Sequence, residues 1–370
     1  MMNKTPAYLT NDEENKLFVE LAKKVKDRIK SIPEKRGAYI KVKAIVLPFL
    51  YFGSYVFALF NTADKGLYIG LYVFMGINIV LIYLNLIHEA AHDSIYKTKK
   101  YNKWVLNILN LVGANSYMWR NRHILSHHHY PNVDGWDTDI EQSGPILVYP
   151  HAEPKGIQKY QHKYFIFIYP FYLFNWMLIR DFRDFFGKKR VIRRVHGVPP
   201  VKEKIKMILY KLFYFFYQIA VPVLFFDASF GLAFGAWFLQ VLVASIFALF
   251  VLLPLHPLPD NEFPEPDELN NLPFSWMKHQ LEVTNDLKPN NWFIRNILGN
   301  FNFHVAHHLF PSYPYVYYNE ITDEIVKFAG EHHLVYKRFP LFTALHKHYD
   351  LLRMNAKGAS LHHVFEELDS

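Results

Sequence analysis

The chain has no cysteine at all, which excludes disulfides and thiolate metal sites together. Residues 1–30 are charged and lack the apolar core of a signal peptide. Acidic residues are in deficit, 33 Asp and Glu against 41 Lys and Arg, and the formal net charge is +8. The basic residues cluster beside apolar runs instead of interleaving along one face. No nucleic-acid partner is therefore expected, and anionic lipid headgroups are the expected counter-charge. What the chain has in abundance is apolar surface: 51% of it is hydrophobic and 18% aromatic, with 33 Phe and 25 Tyr. Its 370 residues suffice for one large domain or two ordinary ones.

Three charge-free runs are long enough to approach or exceed a bilayer span: Ala44–Ala63, Gly66–Ile87 and Ala228–Leu255. Met207–Phe226 joins them if Lys211 snorkels to the interface. They pair as two hairpins, turning at Asp64-Lys65 and at Asp227. Nearly all Lys and Arg lie on the side of the tails and of the segment 88–206, and the opposite turns carry only Lys65. Both tails and the middle segment are thus expected in the cytoplasm. The expected fold is all-α: a multi-pass membrane protein with four transmembrane helices in two hairpins and a cytoplasmic helical cap. Trp104–Trp119, interrupted by asparagines, and Tyr164–Ile179, with Pro170 and Asn175, read as interfacial segments. Residues 11–30 read as an amphipathic helix with Leu17, Phe18, Leu21 and Val25 on one face. Pro254–Pro273 reads as a loop after the fourth span.

Eight histidines fall in three clusters: His88 and His92; His123, His127 and His128; His304, His307 and His308. An even number of spans separates them, so all three end on one side of the membrane. Imidazole is the commonest metal ligand. Eight are too many for one ion with open positions and suit two. His88/His92, His123/His127 and His304/His308 share i, i+4 spacing, which places each pair on one helix face. Adjacent histidines in a helix point about 100° apart, so one can face one ion and its neighbour another. Imidazole suits Zn, Cu, Fe and Ni alike. Glu89, Asp93, Asp134, Asp137, Asp139 and Asp286 are candidates to hold the outer ring nitrogens. His88-Glu89-Ala90-Ala91-His92 also fits the zinc-protease pattern, with Glu89 as general base, but that reading leaves six clustered histidines unexplained.

With these clusters the chain resembles the membrane fatty acid desaturases over roughly residues 40–340. That family carries three histidine boxes of the kinds His-x(3–4)-His, His-x(2–3)-His-His and His/Gln-x-x-His-His around a di-iron centre. The run Tyr130-Pro131-Asn132-Val133-Asp134-Gly135-Trp136-Asp137-Thr138-Asp139 after box two is similar to bacterial acyl-CoA and front-end (linoleoyl-CoA-type) members. So are Asn261-Glu262-Phe263-Pro264, Trp276-Met277-Lys278-His279-Gln280 and His307-His308-Leu309-Phe310-Pro311. Box three opens with His304, as in methyl-end members, where front-end members usually have Gln.

The resemblance implies two Fe ions held by the eight box histidines, O2 as co-substrate, and a fatty acyl substrate on CoA or phospholipid. It implies the insertion of a cis double bond into a chain held in an apolar tunnel, which aromatics of spans two and four are candidates to line. A di-iron lipid hydroxylase of the same superfamily is the alternative. His279 is the expected ninth ligand, with His256 as runner-up; His129 is left out, and the remaining histidines, His332-His333 and His362-His363 among them, read as surface residues. The haem motif His-Pro-Gly-Gly is absent from the sequence, so a separate donor, a ferredoxin or a cytochrome b5 type with its reductase, is expected to supply electrons. Arg120 and Arg122 are candidates to hold a phosphate-bearing carrier. The expected division is 1–38 as a cytoplasmic amphipathic segment, 39–345 as the membrane domain and 346–370 as a tail.

Overall fold

The computed structural model describes residues 5–33, 35–140 and 144–358; residues 359–370 of the expected tail, with His362 and His363, lie outside the described residues. Among the described residues the regular structure is helical apart from a two-stranded parallel pairing of Asp286–Lys288 with Arg338–Pro340 and a single bridge between Ala7 and Asn271. Among the described residues, four helices are long and apolar enough to cross a membrane: Lys35–Leu59, Lys65–Ala91, Val201–Phe225 and Phe230–Leu255. Each is 25 to 27 residues long, or roughly 40 Å at 1.5 Å per residue, which exceeds a hydrocarbon core of about 30 Å.

The second and fourth spans pack most closely. Gly76 permits it, because a Cβ there would overlap the backbone carbonyl of Gln240. Where lipid is as apolar as any side chain, small residues and interhelical hydrogen bonds hold helices together. Tyr51 serves this purpose at the bundle centre: its hydroxyl accepts from Gln218 and Gln240, each at 2.9 Å, joining three spans.

Lys211 does not snorkel. It is buried, and its ammonium donates to Asp181 at 2.7 Å and to the Gly113 carbonyl at 2.5 Å. A buried charge is retained only when paired and hydrogen-bonded, so this residue pins the third span to the interfacial segment that carries Asp181.

The two interfacial stretches are indeed broken into short helices, among them Lys99–Leu106, Ser116–Arg122, Gln161–Ile168 and Asp181–Phe186. Asn11 caps the amphipathic helix Asp12–Lys30, which buries Leu21 and Val25. Phe18 of that helix packs edge-on against Trp276 at 4.9 Å. Residues 5–10 run beside residues 270–274, with Leu9 N–H donating to the Phe274 carbonyl at 3.0 Å. The N-terminal segment is therefore docked on the cap. Helix Leu341–Lys357 runs straight across residue 346 and buries Leu351, Leu352 and His348.

Candidate metal centre

The three boxes are brought together by the ends of spans two and four and by two short helices. Box one is the last turn of span two, and a π-helical turn over Tyr83–Ile87 immediately precedes it. Asn85 fixes that turn by donating to the Ile297 carbonyl at 2.8 Å. Box two is itself a π turn over His123–His127. The extra residue per turn matters here. His123 lines up with His128 (i, i+5) rather than with His127, and their Nε2 atoms lie 3.1 Å apart. Such bulges inside helices are frequent at functional sites. Box three is the short helix His304–Leu309. Asp286 secures it: its carboxylate accepts from the Val305 N–H at 2.8 Å and the Tyr336 hydroxyl at 2.6 Å.

Two buried quartets result. His88, His92, His123 and His307 form one, and His127, His256, His304 and His308 the other; in each, the ligand atoms lie within 4.8 Å of one another. Adjacent His307 and His308 face different quartets, as helical spacing requires. His128 lies between the quartets, its ring 4.5 Å from that of His92 and 4.6 Å from those of His307 and His308.

His279 is in neither quartet. It is fully buried, Nε2 meets the Pro131 carbonyl at 2.9 Å, and Tyr8 packs edge-on against its ring at 5.2 Å. The fourth member of the second quartet is His256, whose Nε2 is 2.8 Å from that of His304. His256 follows span four as His88 closes span two, and this symmetry was the available signal. His129 turns outward, with Nδ1 on the Ile124 carbonyl. His348, grouped in sequence with surface histidines, is buried between the Tyr169 hydroxyl at 2.7 Å and the Pro257 carbonyl at 2.8 Å.

The chemistry of the donor set fits metal ions. The inward Nε2 atoms of His88, His92 and His307 are buried with no hydrogen-bond partner, an arrangement that natural proteins rarely leave unexplained. The outward nitrogens are held instead. Asp137 holds His127 Nδ1 at 3.0 Å, Asp139 holds His123 Nδ1 at 3.0 Å, the Tyr318 hydroxyl meets His307 Nδ1 at 3.0 Å, and Gln280 meets His308 Nδ1 at 2.9 Å. This is the usual outer support of metal-bound imidazole, which fixes the tautomer and aims the free nitrogen inward. Of the other candidate acids, Asp134 is exposed and Asp93 pairs with Arg120 at 3.4 Å.

Burial and the neighbouring rings hold most of these imidazoles neutral. His92, His128, His304, His307 and His308 are pushed well below the usual histidine range, and burial drives His256 down to about 3. His127 is the exception: burial opposes its charged form, but Asp137 outweighs it and the net shift is upward. Neutral imidazole is the ligating form. Glu89 Oε2 accepts from the Ser94 hydroxyl at 2.9 Å and the Tyr315 N–H at 3.0 Å, and Oε1 lies 3.6 Å from His88 Nδ1, the nitrogen opposite the inward Nε2, so the carboxylate backs the ring instead of standing as a protease base on the ligand side. Arg122 is buried too, bound to Asp184 at 2.8 Å and stacked on Trp176, and cannot reach a phosphate.

An apolar cavity of about 260 Å³ lies between span four (Ala248, Leu249, Leu252) and residues Ile168, Phe171 and Tyr172. A smaller one of about 90 Å³ lies against the histidines, walled by Tyr83, Trp119, Trp176 and Phe301. Asp139, Ile140, Tyr172, Leu252 and His256 line both. Span two thus contributes an aromatic, Tyr83, whereas span four contributes aliphatic side chains.

The fatty acid desaturase family model matches residues 63–340. The chain belongs to the fatty acid desaturase family. Among desaturases it is similar to an acyl-lipid (8-3)-desaturase of Physcomitrium patens, 29% identical over 311 residues, covering 82% of this chain and 63% of that protein. An sn-1 linoleoyl-lipid 6-desaturase of Synechocystis sp. is 27% identical over 317 residues, covering 83% of this chain and 84% of that protein. A probable Delta(5) fatty acid desaturase C of Dictyostelium discoideum is 30% identical over 283 residues, covering 74% and 60%. The chain therefore spans less than two thirds of the moss and Dictyostelium desaturases.

Proposed function

We propose that the protein is an integral membrane acyl desaturase that places a cis double bond in a fatty acyl chain at a centre of two irons. The observation that carries this reading is the pair of buried histidine quartets at the inner end of an apolar cavity. The proposed ligands are the eight box histidines, with His256 as the ninth in place of His279. An acyl lipid is the favoured substrate, because the moss and cyanobacterial relatives are named for acyl lipids. The active site and both termini are assigned to the cytoplasm on the distribution of Lys and Arg, and a separate redox protein is proposed as electron donor.

When bound, the irons supply the oxidation: a –CH2–CH2– unit, O2, two electrons and two protons give a –CH=CH– unit and two waters. The protein's own part is placement and exclusion. Ala248, Leu249, Leu252 and Ile140 offer a chain only apolar contacts, so binding energy fixes one carbon pair against the centre. Tyr83, Trp119, Trp176 and Phe301 close the inner cavity and keep bulk water from the reacting carbons. Asp137 and Asp139 hold His127 and His123 in one tautomer.

The test is expression in a host lacking polyunsaturated fatty acids, followed by mass spectrometry that locates double bonds in its lipids. New unsaturation, lost in a His123→Ala variant, is expected. Hydroxylated chains without new double bonds would replace desaturation by hydroxylation. No altered lipid from a metal-loaded protein supplied with donor would remove the reading.

A further inference from the structure

A second cavity, of about 530 Å³, lies on the other face of the box-two helix Ser116–Arg122. Trp119 and Arg122 face the metal-side cavity, whereas Ser116, Tyr117, Arg120 and Asn121 face this one. The two cavities share no lining residue, so it is not part of the acyl path. Its walls are basic: Lys99 and Lys103 from helix Lys99–Leu106, Arg120 from box two, and Lys202 and Lys206 from the start of span three. Asp93 and Glu203 are its acids. Asp93 pairs with Arg120 and Glu203 with Lys206, while Lys99, Lys103 and Lys202 have no carboxylate partner among the described residues. Like charges converging on one space repel unless an anion joins them. Amides complete the lining: Asn107 and Asn115 offer N–H groups to an oxyanion, whereas the Ser116 and Tyr117 hydroxyls are engaged with Asn110 and His196.

Its depth in the fold also narrows the ligand. Just past Lys206, span three exposes Ile208, Leu209 and Leu212. Across the cavity, exposed Tyr101 and Trp104 flank Lys103, the amphipathic aromatics that settle at headgroup level. We propose that this cavity is a binding site for a phosphoryl group, independent of the acyl tunnel, and that an anionic lipid headgroup supplies it. Only the lipid source rests on the membrane reading above; the phosphoryl site does not.

The test measures the melting temperature of the metal-loaded, full-length protein in nanodiscs of phosphatidylcholine, with and without phosphatidylglycerol. A parallel arm adds inorganic phosphate to phosphatidylcholine discs. Phosphatidylglycerol is expected to raise the midpoint by about 2 °C or more. Lys103→Gln and Lys202→Gln should each lose most of that rise. Lys100→Gln removes the same charge from the same helix outside the cavity and should keep it. Arg120 is left intact, because its guanidinium also donates to the Ala91 carbonyl at 3.0 Å beside box one. A rise with inorganic phosphate that shows the same variant pattern supports the site and makes its source soluble. No rise with either probe, or an equal loss in Lys100→Gln, overturns the proposal, the latter by reducing the effect to the general field of the basic face.

Discussion

His256 and His279 separate two ways of completing the metal centre, and replacing each by alanine tests them against each other. Both are fully buried, and both make one hydrogen bond to a backbone carbonyl: His256 to Val283 at 3.2 Å and His279 to Pro131 at 2.9 Å. The structural penalties of the two substitutions are therefore similar. Losing the hydrogen bond costs about 1 kcal/mol, and the void left by a buried ring adds roughly 2 kcal/mol. Each variant should thus be destabilised by about 3 kcal/mol in protein contacts alone. Metal retention is what separates them. His256 is one of four donors in its quartet, so His256→Ala should fall from about two irons per chain toward about one. His279→Ala should keep both irons and lose only thermal stability, with the edge-on contact to Tyr8 adding to that loss. Elemental analysis of the purified proteins, with thermal unfolding alongside, reads both quantities. If His279→Ala sheds an iron while His256→Ala keeps two, the quartet assignment is wrong and the ninth ligand is His279.

Three further outcomes follow from the same geometry. Asp137→Asn removes the charge behind His127 while leaving an acceptor near its Nδ1, and metal affinity in chelator competition should fall about 10- to 100-fold with little change in helix content. Ala248→Phe fills the apolar cavity beside span four; the product profile should move to shorter chains, with iron content unchanged, and an unchanged profile would take that cavity out of the acyl path. Lys211→Met leaves Asp181 charged and unpaired inside the protein, at about 3–5 kcal/mol. Adding Asp181→Asn should recover much of the lost melting temperature.

Much of this architecture was legible because membranes and metals impose simple rules. Three spans show as charge-free apolar runs and a fourth as a run broken by Lys211, and the three boxes show as histidine clusters on one side of them. The acids behind the rings were partly legible as well: Asp137 and Asp139 do hold His127 and His123, as their proximity to box two suggested. Partners brought in by tertiary packing were not. Nothing local marks Tyr318 or Gln280 as partners of His307 and His308, since they lie 11 and 28 positions away. The π turns were missed for a related reason. An i, i+4 histidine spacing reads as α-helix, and only the backbone shows that His123 pairs with His128. In the sequence His279 ranks above His256 because it precedes Gln280 in the segment leading to box three, and only the fold brings His256 beside His304. The buried state of Lys211 was hidden by distance, as Asp181 lies 30 residues earlier on another element.

In the proposed desaturase, the charge layout of the centre bears on how a position along the acyl chain would be selected. Quartets made only of imidazole contribute no negative charge, so bound cations must be balanced from one layer further out. Asp137 and Asp139 supply that balance through the Nδ1 atoms they hold, and Glu89 adds to it 3.6 Å from His88 Nδ1. With most of the carboxylates set back, the wall of the inner cavity is formed largely by imidazole and aromatic rings. His88 and His123 of one quartet and His127, His256 and His304 of the other all line it. An acyl chain in that cavity would therefore pass both quartets with Arg122, tied to Asp184, and Asp139, at the junction with the outer cavity, as the charged groups of the wall. The carbon pair presented to the centre is then set by how far the chain is drawn in from the outer cavity, a distance measured along Ile140, Tyr172 and Leu252. Those three residues, rather than the ligands, are where a change of double-bond position is expected to be found.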